Sequence, residues 1–120
     1  MFLRHTIFLL FVLNANLFAD STLKLTINYG SIKPEQTLDV NYKEGATALA
    51  ILQSAVPVLT KKVGTYIFVT SINGLKSQPQ KMGWFYQVDG ESAQKVASHN
   101  ILTTASSMRW EYRQDNCLSQ

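Results

Sequence analysis

Residues 83–90, with the sequence GWFYQVDG, constrain the fold of this chain more than any other stretch. In an extended chain Trp84, Tyr86 and Val88 share one face, and Phe85 and Gln87 share the other. The segment ends in Asp-Gly, a strong signal for a tight hairpin because Gly accepts a positive φ. A strand with large apolar groups on both faces either lies within a packed sheet or offers one face to a ligand.

The first 19 residues have the layout of a secretory signal peptide. Arg4 supplies a basic start, residues 6–13 form a short apolar run, and Ala19 closes a small-residue cleavage site. The run is shorter than the roughly 20 apolar residues that a transmembrane helix needs. We therefore expect a leader at 1–19, no membrane span after processing, and a periplasmic or secreted product. The alternative is a retained N-terminal anchor.

Charge and cysteine content exclude several classes of protein. Lys and Arg number 11 and Asp and Glu number 8, and Lys61-Lys62 is the only adjacent Lys or Arg pair, so neither a nucleic-acid stripe nor a polybasic membrane patch is predicted. Cys117 is the only cysteine and precludes an internal disulfide. It falls in a polar tail, residues 114–120, where we expect an unpaired thiol in preference to an intermolecular disulfide.

Alternation in the first half predicts two strands and a helix. Residues 22–29 and 36–42 each alternate apolar and polar side chains, which indicates an antiparallel hairpin with one buried face. Thr47 is a candidate N-cap for a short amphipathic helix, since its hydroxyl can accept a hydrogen bond from an unpaired backbone N–H. Pro57 disfavours helical geometry at Val56, so the helix should end there.

The second half predicts further strands and completes the fold class. Residues 61–64 are expected to form a loop, 66–72 a strand buried on both faces, Asn73-Gly74 a turn, 76–81 a surface loop and 92–97 an irregular strand. Residues 107–113 alternate again and form the last strand. The order predicts one α+β domain at 20–113, β-grasp-like, with one helix packed on a small mixed sheet of about five strands.

Several motifs in the same order resemble the transcobalamin-like C-terminal domain family. They are Glu44-Gly45-Ala46-Thr47 before the helix, Ser71-Ile72-Asn73-Gly74, Gly83-Trp84-Phe85-Tyr86, Val88-Asp89-Gly90 and Trp110-Glu111-Tyr112. The family is a small module of exported bacterial proteins, related to the smaller domain of the cobalamin carriers. Two positions depart from its pattern: Ala105-Ser106 stands where Gly-Asp is usual, and Asp89 where Asn is commoner.

The resemblance implies a ligand site on the aromatic hairpin. In the cobalamin carriers an aromatic residue followed by Gln faces the ligand, and Tyr86-Gln87 matches that pair. It implies contacts at Trp84, Tyr86 and Gln87 and near Val96 and His99, with cobalamin or another corrinoid-like molecule as ligand. The carriers close a larger helical domain over the vitamin, so this domain alone is expected to bind weakly or with a partner.

A second function is possible if the aromatic hairpin packs into the core and leaves Phe85 exposed. If Trp84 and Tyr86 instead pack on the helix as core, which we favour, Phe85 faces outward and invites a partner. The two hypotheses are a small-molecule binding module and a protein-interaction module that docks a larger exported or membrane partner. The first predicts a concave pocket beside residues 84–87, and the second a flat apolar patch or an unpaired strand edge.

No motif in the chain indicates catalysis. The sequence has no nucleophile elbow, no HExxH and no phosphate-binding glycine loop. His99 would be the only histidine after processing, and we interpret it as a solvent-facing loop residue in preference to a metal ligand. We therefore predict a protein that is not an enzyme, with no resident metal or certain cofactor.

Overall fold

The computed structural model describes residues 20–115. The predicted leader and Cys117 lie outside these residues. The first half contains β1 (Asp20–Asn28), β2 (Gln36–Lys43), β3 (Ala46–Thr47), α1 (Ala48–Ala55) and β4 (Val58–Val63). The second half contains β5 (Tyr66–Ile72), β6 (Leu75–Lys76), β7 (Met82–Val88), β8 (Glu91–Ser92), a 3₁₀ turn (Ala97–His99), β9 (Ile101–Leu102) and β10 (Ser107–Gln114).

The strands form three sheets. The largest has five strands in the order β2-β1-β10-β7-β8; β1 and β10 run parallel and the other neighbours antiparallel. A second sheet has the order β4-β5-β6, and β3 pairs with β9 in a third. The prediction of an α+β chain with one helix and a mixed sheet of about five strands is confirmed among residues 20–115.

One face of the five-stranded sheet supplies most of the core. The predicted alternation is confirmed on β1, where Leu23, Leu25 and Ile27 are at most 1% exposed. The register places Met108 beside Val88, Trp110 beside Tyr86 and Tyr112 beside Trp84 on the same face. Other buried apolar residues come from β2, α1, β5, β9, the 3₁₀ turn and the loops: Val40, Tyr42, Ala48, Leu49, Ile51, Leu52, Val56, Ile72, Ala97, Leu102 and Ala105.

Helix α1 begins and ends where its sequence signals predicted. The Thr47 hydroxyl accepts a hydrogen bond from the Ala50 N–H at 3.1 Å, which satisfies one of the unpaired donors of the first turn. Val56, just before Pro57, has extended geometry and ends the helix. The buried residues Ala48, Leu49, Ile51 and Leu52 form the face that α1 contributes to the core.

The region from 58 to 72 differs from the prediction in two ways. Residues 61–63 belong to strand β4, so the expected loop at 61–64 is wrong; the turn is Gly64-Thr65. The expected burial of residues 66–72 on both faces is also wrong, because Tyr66 is 46% and Phe68 43% exposed. Both differences have one cause: β4 and β5 form a hairpin in the smaller sheet, with only one face toward the core.

The turns at Asn73-Gly74 and Asp89-Gly90 are confirmed. Asn73 and Asp89 have φ values of 50° and 51°, and the following glycines have φ values of 83°. Two successive positive φ values fit a tight hairpin whose twist matches that of its strands. The expected irregular strand at 92–97 is largely wrong: β8 ends at Ser92, and a 3₁₀ turn begins at Ala97.

Candidate functional site

A cavity of about 370 Å³ is lined by residues of the two larger sheets and reaches both faces of β7. Its walls are the β5 segment 67–69, the β7 segment 84–87, the connection from Ser92 to Ala97, and β10. The β10 residues in the wall are Trp110, Glu111 and Arg113. The volume is at the lower end of the range for small-molecule sites, about 300–1,000 Å³.

Trp84 is held firmly by the fold at one end of this cavity. Its side chain is 9% exposed, and its indole Nε1 donates a hydrogen bond to the Leu75 carbonyl at 2.9 Å. Its ring makes an edge contact with Tyr29 at 6.0 Å and a tilted contact with Tyr112 at 5.1 Å between centroids. The favoured interpretation of Trp84 as a core residue therefore agrees with its packing, although Trp84 also lines the cavity.

Tyr86 fixes the connection that closes the cavity. Its ring stacks on Trp110 with centroids 4.7 Å apart and planes 16° apart. Its hydroxyl donates to the Lys95 carbonyl and accepts from the Asn100 amide at 3.1 Å. Burial raises the pKa of the Tyr86 hydroxyl above its usual value, against the lowering effect of the Asn100 bond.

Phe85 and Gln87 occupy the opposite face of β7 and remain half-exposed. The guanidinium of Arg113 lies 4.4 Å from the centre of the Phe85 ring, a cation–π contact. Gly83 makes room for that ring, because a Cβ there would come within 3.3 Å of it. Within residues 20–115 no hydrogen-bond partner holds the side-chain amide of Gln87, so this group is available to a ligand.

The cavity brings together five of the six residues that the sequence singled out: Trp84, Phe85, Tyr86, Gln87 and Val96. His99 is not in its wall. The exposed His99 ring packs on Tyr66 at 4.7 Å, and its Nε2 pairs with the Thr65 carbonyl at 2.9 Å. The structure thus places His99 at the turn of the β4–β5 hairpin.

Sequence reasoning missed the walls contributed by β5 and β10. Ile67, Phe68 and Val69 belong to a different sheet from β7, and nothing in their local pattern places them opposite Trp84. Glu111 and Arg113 line the cavity because the register between β10 and β7 sets Glu111 beside Phe85 and Arg113 beside Gly83. The alternation of residues 107–113 predicted that Glu111 and Arg113 share one face of the strand, but it did not predict that β7 lies beside them.

The open edge of β7 is a second feature of the cavity. Met82 exchanges two backbone hydrogen bonds with Gln78, and the Tyr86 carbonyl accepts from the Ala93 N–H at 3.3 Å. Since backbone groups of alternate residues point to the same edge, the N–H and C=O of Trp84 point the same way. No strand pairs with Trp84 on that edge in the part of the chain described, where β7 lies between β10 and the short β8.

Asp89 explains how the fold accommodates the two departures from the transcobalamin-like pattern. Its Oδ1 accepts hydrogen bonds from the N–H groups of Ser106 and Ser107, both at 2.9 Å, and from the Ser106 hydroxyl at 3.0 Å. These bonds, chiefly that from the Ser106 N–H, lower the pKa of Asp89 below its usual value. The carbonyl of Ala105 accepts from the Tyr42 hydroxyl at 2.8 Å, so Ala105-Ser106 joins the turn to the core.

The described residues carry no arrangement typical of a metal centre. Between residues 20 and 115, no three His, Cys, Asp or Glu side chains are grouped closely enough to hold a metal ion. In the same range no helix has the length and apolar character needed to cross a membrane.

Comparison with known proteins identifies a family and a fold. Residues 45–114 match the family described as Domain of unknown function (DUF4430). Haptocorrin in complex with Cbi superimposes with a TM-score of 0.65 at 14% identity, over 78% of this chain and 25% of haptocorrin. A candidate metal binding protein from Ruminococcus gnavus ATCC 29149 superimposes with a TM-score of 0.68 at 12% identity, over 79% of this chain and 98% of that one. No curated protein matches the sequence.

These findings confirm the resemblance to the transcobalamin-like domains at the level of the fold. The chain spans a quarter of haptocorrin, and at this identity the likeness concerns architecture alone. One of these structural neighbours is named as a metal binding protein, and the other was solved in complex with Cbi.

Proposed function

The chain belongs to the DUF4430 domain family, and from this membership and the site geometry we propose that it is an exported, non-enzymatic small-molecule binding module. The observation that carries the proposal is the cavity of about 370 Å³ whose wall includes Trp84, Phe85, Tyr86, Gln87 and Val96. The ligand class is a flat, largely apolar molecule with polar groups at its edge, with cobalamin or another corrinoid as the first candidate. Haptocorrin, which shares the fold, was solved in complex with Cbi.

The residues around the cavity have different roles in binding. The half-exposed Phe85 ring offers a stacking surface on the face that Arg113 does not cover. The unpaired amide of Gln87 supplies both a donor and an acceptor. Trp84 and Tyr86 hold the wall, since the fold already uses the Trp84 indole N–H and the Tyr86 hydroxyl.

The size of the cavity limits the affinity of the isolated domain. A corrinoid is larger than about 370 Å³, so the cavity accepts one edge of the ring system and leaves the rest in solvent. Small-molecule sites usually bury about 70–90% of the ligand surface. The domain alone should therefore bind with an affinity on the order of micromolar or weaker, and a partner that covers the other side should tighten binding.

Absorbance titration of the purified protein with cobalamin, cobinamide and haem tests this proposal. We expect saturable binding of at least one of them. Gln87→Ala should weaken binding about fivefold, because the lost hydrogen bond is worth about 1 kcal/mol. Gln53→Ala, which removes an exposed amide on α1 outside the cavity, is the matched control and should bind like the wild type. Equal affinities of the two variants, or no spectral change at millimolar ligand, would contradict the proposal.

Export of the protein and the β-grasp subclass of its fold are also part of this proposal. The leader pattern at 1–19 supports a periplasmic or secreted location, and intact-mass analysis of the exported protein should give a chain that begins near Asp20. A full-length mass would contradict cleavage. The β-grasp assignment remains a prediction, supported by one helix packed on a mixed five-stranded sheet.

The open edge of β7 favours a second candidate function, docking of an extended segment of a partner protein. The Trp84 N–H and C=O face the cavity edge without a paired strand, and added strands bind through such main-chain groups. Short extended peptides test this candidate. Binding that N-methylation of alternate peptide amides abolishes would support strand addition, whereas binding insensitive to N-methylation would oppose it.

A further inference from the structure

The β4–β5 hairpin carries an exposed apolar face, of which only Phe68 also lines the cavity. Alternation along β4 puts Lys61 and Val63 on one face, and the register sets Tyr66 opposite Val63 and Phe68 opposite Lys61. We call these four residues the hairpin face. Its apolar members are 43–50% exposed: Val63 50%, Tyr66 46% and Phe68 43%, and Leu59, beyond an irregularity in the register, is 56% exposed. Exposed apolar groups clustered in this way mark an interaction surface.

The opposite face of the hairpin fixes its orientation on the molecule. Ile67 and Val69 are half-buried and pack against the core, so the hairpin face must point away from the domain. At the turn, Tyr66 contacts Phe68 with centroids 6.3 Å apart, and His99 packs on Tyr66. The aromatic groups therefore form one continuous patch at an outer corner of the fold.

The segment that carries the hairpin face has charge of a single sign. Between Gly45 and Val88 the sequence contains Lys61, Lys62, Lys76 and Lys81 and no Asp or Glu. All of the acidic residues lie before or after this segment. Lys61 and Lys62 are both exposed. Lys61 pairs with Phe68 and stands directly beside the apolar members of the hairpin face, whereas Lys62 pairs with Ile67 on the opposite face and adds charge at the edge of the hairpin.

We propose that the hairpin face binds the surface of an anionic lipid membrane. Apolar and aromatic side chains at the polar–apolar boundary of a bilayer, flanked by lysines that reach lipid phosphates, are typical of interfacial binding elements. The lysine at the centre of the face suits a lipid surface better than an apolar protein groove. Its methylene stem can lie among acyl chains while its ammonium stays at the headgroups. This inference does not depend on the proposed function, and because Phe68 lies at both surfaces, membrane binding would hold the cavity close to the bilayer.

Flotation of the full chain with vesicles tests the proposal. Vesicles of phosphatidylcholine with about a third phosphatidylglycerol are compared with vesicles of phosphatidylcholine alone, at low and high salt. We expect binding to the anionic vesicles that falls as salt rises, because screening weakens charge attraction. The neutral vesicles serve as the internal control for apolar binding by other parts of the chain.

Variants assign the binding to the hairpin face. Lys61→Gln with Lys62→Gln should lower the anionic partition coefficient roughly 25-fold, at about fivefold for each lysine. Val63→Ser, at an exposed position outside the cavity wall, should also lower it at unchanged melting temperature. Ile32→Ser and Lys24→Gln are matched controls, exposed but outside the hairpin, and should bind like the wild type.

No preference for anionic vesicles, or equal losses in the controls, would overturn the proposal. So would hairpin-dependent binding to soluble polyglutamate without binding to vesicles, which would point to an acidic protein partner.

Discussion

Asp89 shows how one residue can serve both a turn and a long-range contact. With φ at 51° it forms the tight turn after β7, and its carboxylate receives three donors from Ser106 and Ser107. Asn, the commoner residue in related domains, also suits the turn. The charge of Asp89 adds strength, because hydrogen bonds to an ionised acceptor are stronger than neutral ones.

Asp89 therefore predicts a pH dependence of stability. The hydrogen bonds lower its folded pKa, so its contribution is present above the unfolded value of 3.8 and disappears as pH falls through the lower folded value. The Asp89→Asn variant has no titratable group at this position, so it should lose this pH-dependent contribution to stability. Thermal melts of both proteins between pH 2 and pH 7 measure the effect. We expect the advantage of the wild type at neutral pH to shrink in acid, and parallel curves would contradict the assignment.

At the scale of elements, the largest difference from expectation is the β4–β5 hairpin. Its first strand contains two lysines and a threonine, and five of its six residues are exposed. Such a strand gains its structure from pairing with β5 rather than from burial, so its apolar pattern is weak. Lysines on an edge strand also discourage unwanted strand addition by other chains.

Helix α1 depends on its cap because it is short. With 8 residues it lies below the length at which isolated helices are stable in water, about 12–15 residues. Thr47→Ala should lower the free energy of unfolding by about 1 kcal/mol, since the Ala50 N–H loses its acceptor. Thr104→Ala makes the same change at an exposed loop position and should have little effect. Urea denaturation of both variants measures the difference, and equal stabilities would show that the cap is dispensable.

On the scale of the whole molecule, side-chain hydrogen bonds join the two larger sheets. The Trp84 Nε1 donates to the Leu75 carbonyl, and the Tyr112 hydroxyl donates to the Lys76 carbonyl at 2.8 Å. Tyr29, from the end of β1, accepts from the Asn73 amide in the β5–β6 turn. Both sheets line the cavity, so its shape depends on these bonds as well as on apolar packing.

Removing one of these bonds should destabilise the fold and loosen the cavity. Tyr112→Phe leaves the Lys76 carbonyl without its partner and should lower the free energy of unfolding by about 1–2 kcal/mol. Tyr66→Phe removes an exposed hydroxyl and should change stability by less than about 0.5 kcal/mol. Hydrogen exchange should show faster opening at β6 in Tyr112→Phe. Unchanged stability with unchanged exchange would mean that the sheets are held by packing alone.

The sequence by itself determined the features that depend on near neighbours. Alternation on β1, β2 and β10, the Thr47 cap, the stop before Pro57 and the two positive-φ turns each follow from contacts or steric limits within a few residues. The resemblance to transcobalamin-like domains implied ligand contacts at Trp84, Tyr86, Gln87, Val96 and His99, and all of these except His99 line one cavity, together with Phe85.

Only the tertiary structure decided which strands meet across the cavity. The parallel pairing of β1 with β10 joins residues more than 80 positions apart, and the approach of β5 to β7 spans two sheets. Such contacts depend on the sum of packing over the whole core, so no local pattern specifies them. The same reason explains why Tyr66 and Phe68 were expected to be buried: an apolar strand has the same local sequence whether a second layer covers it or leaves it exposed.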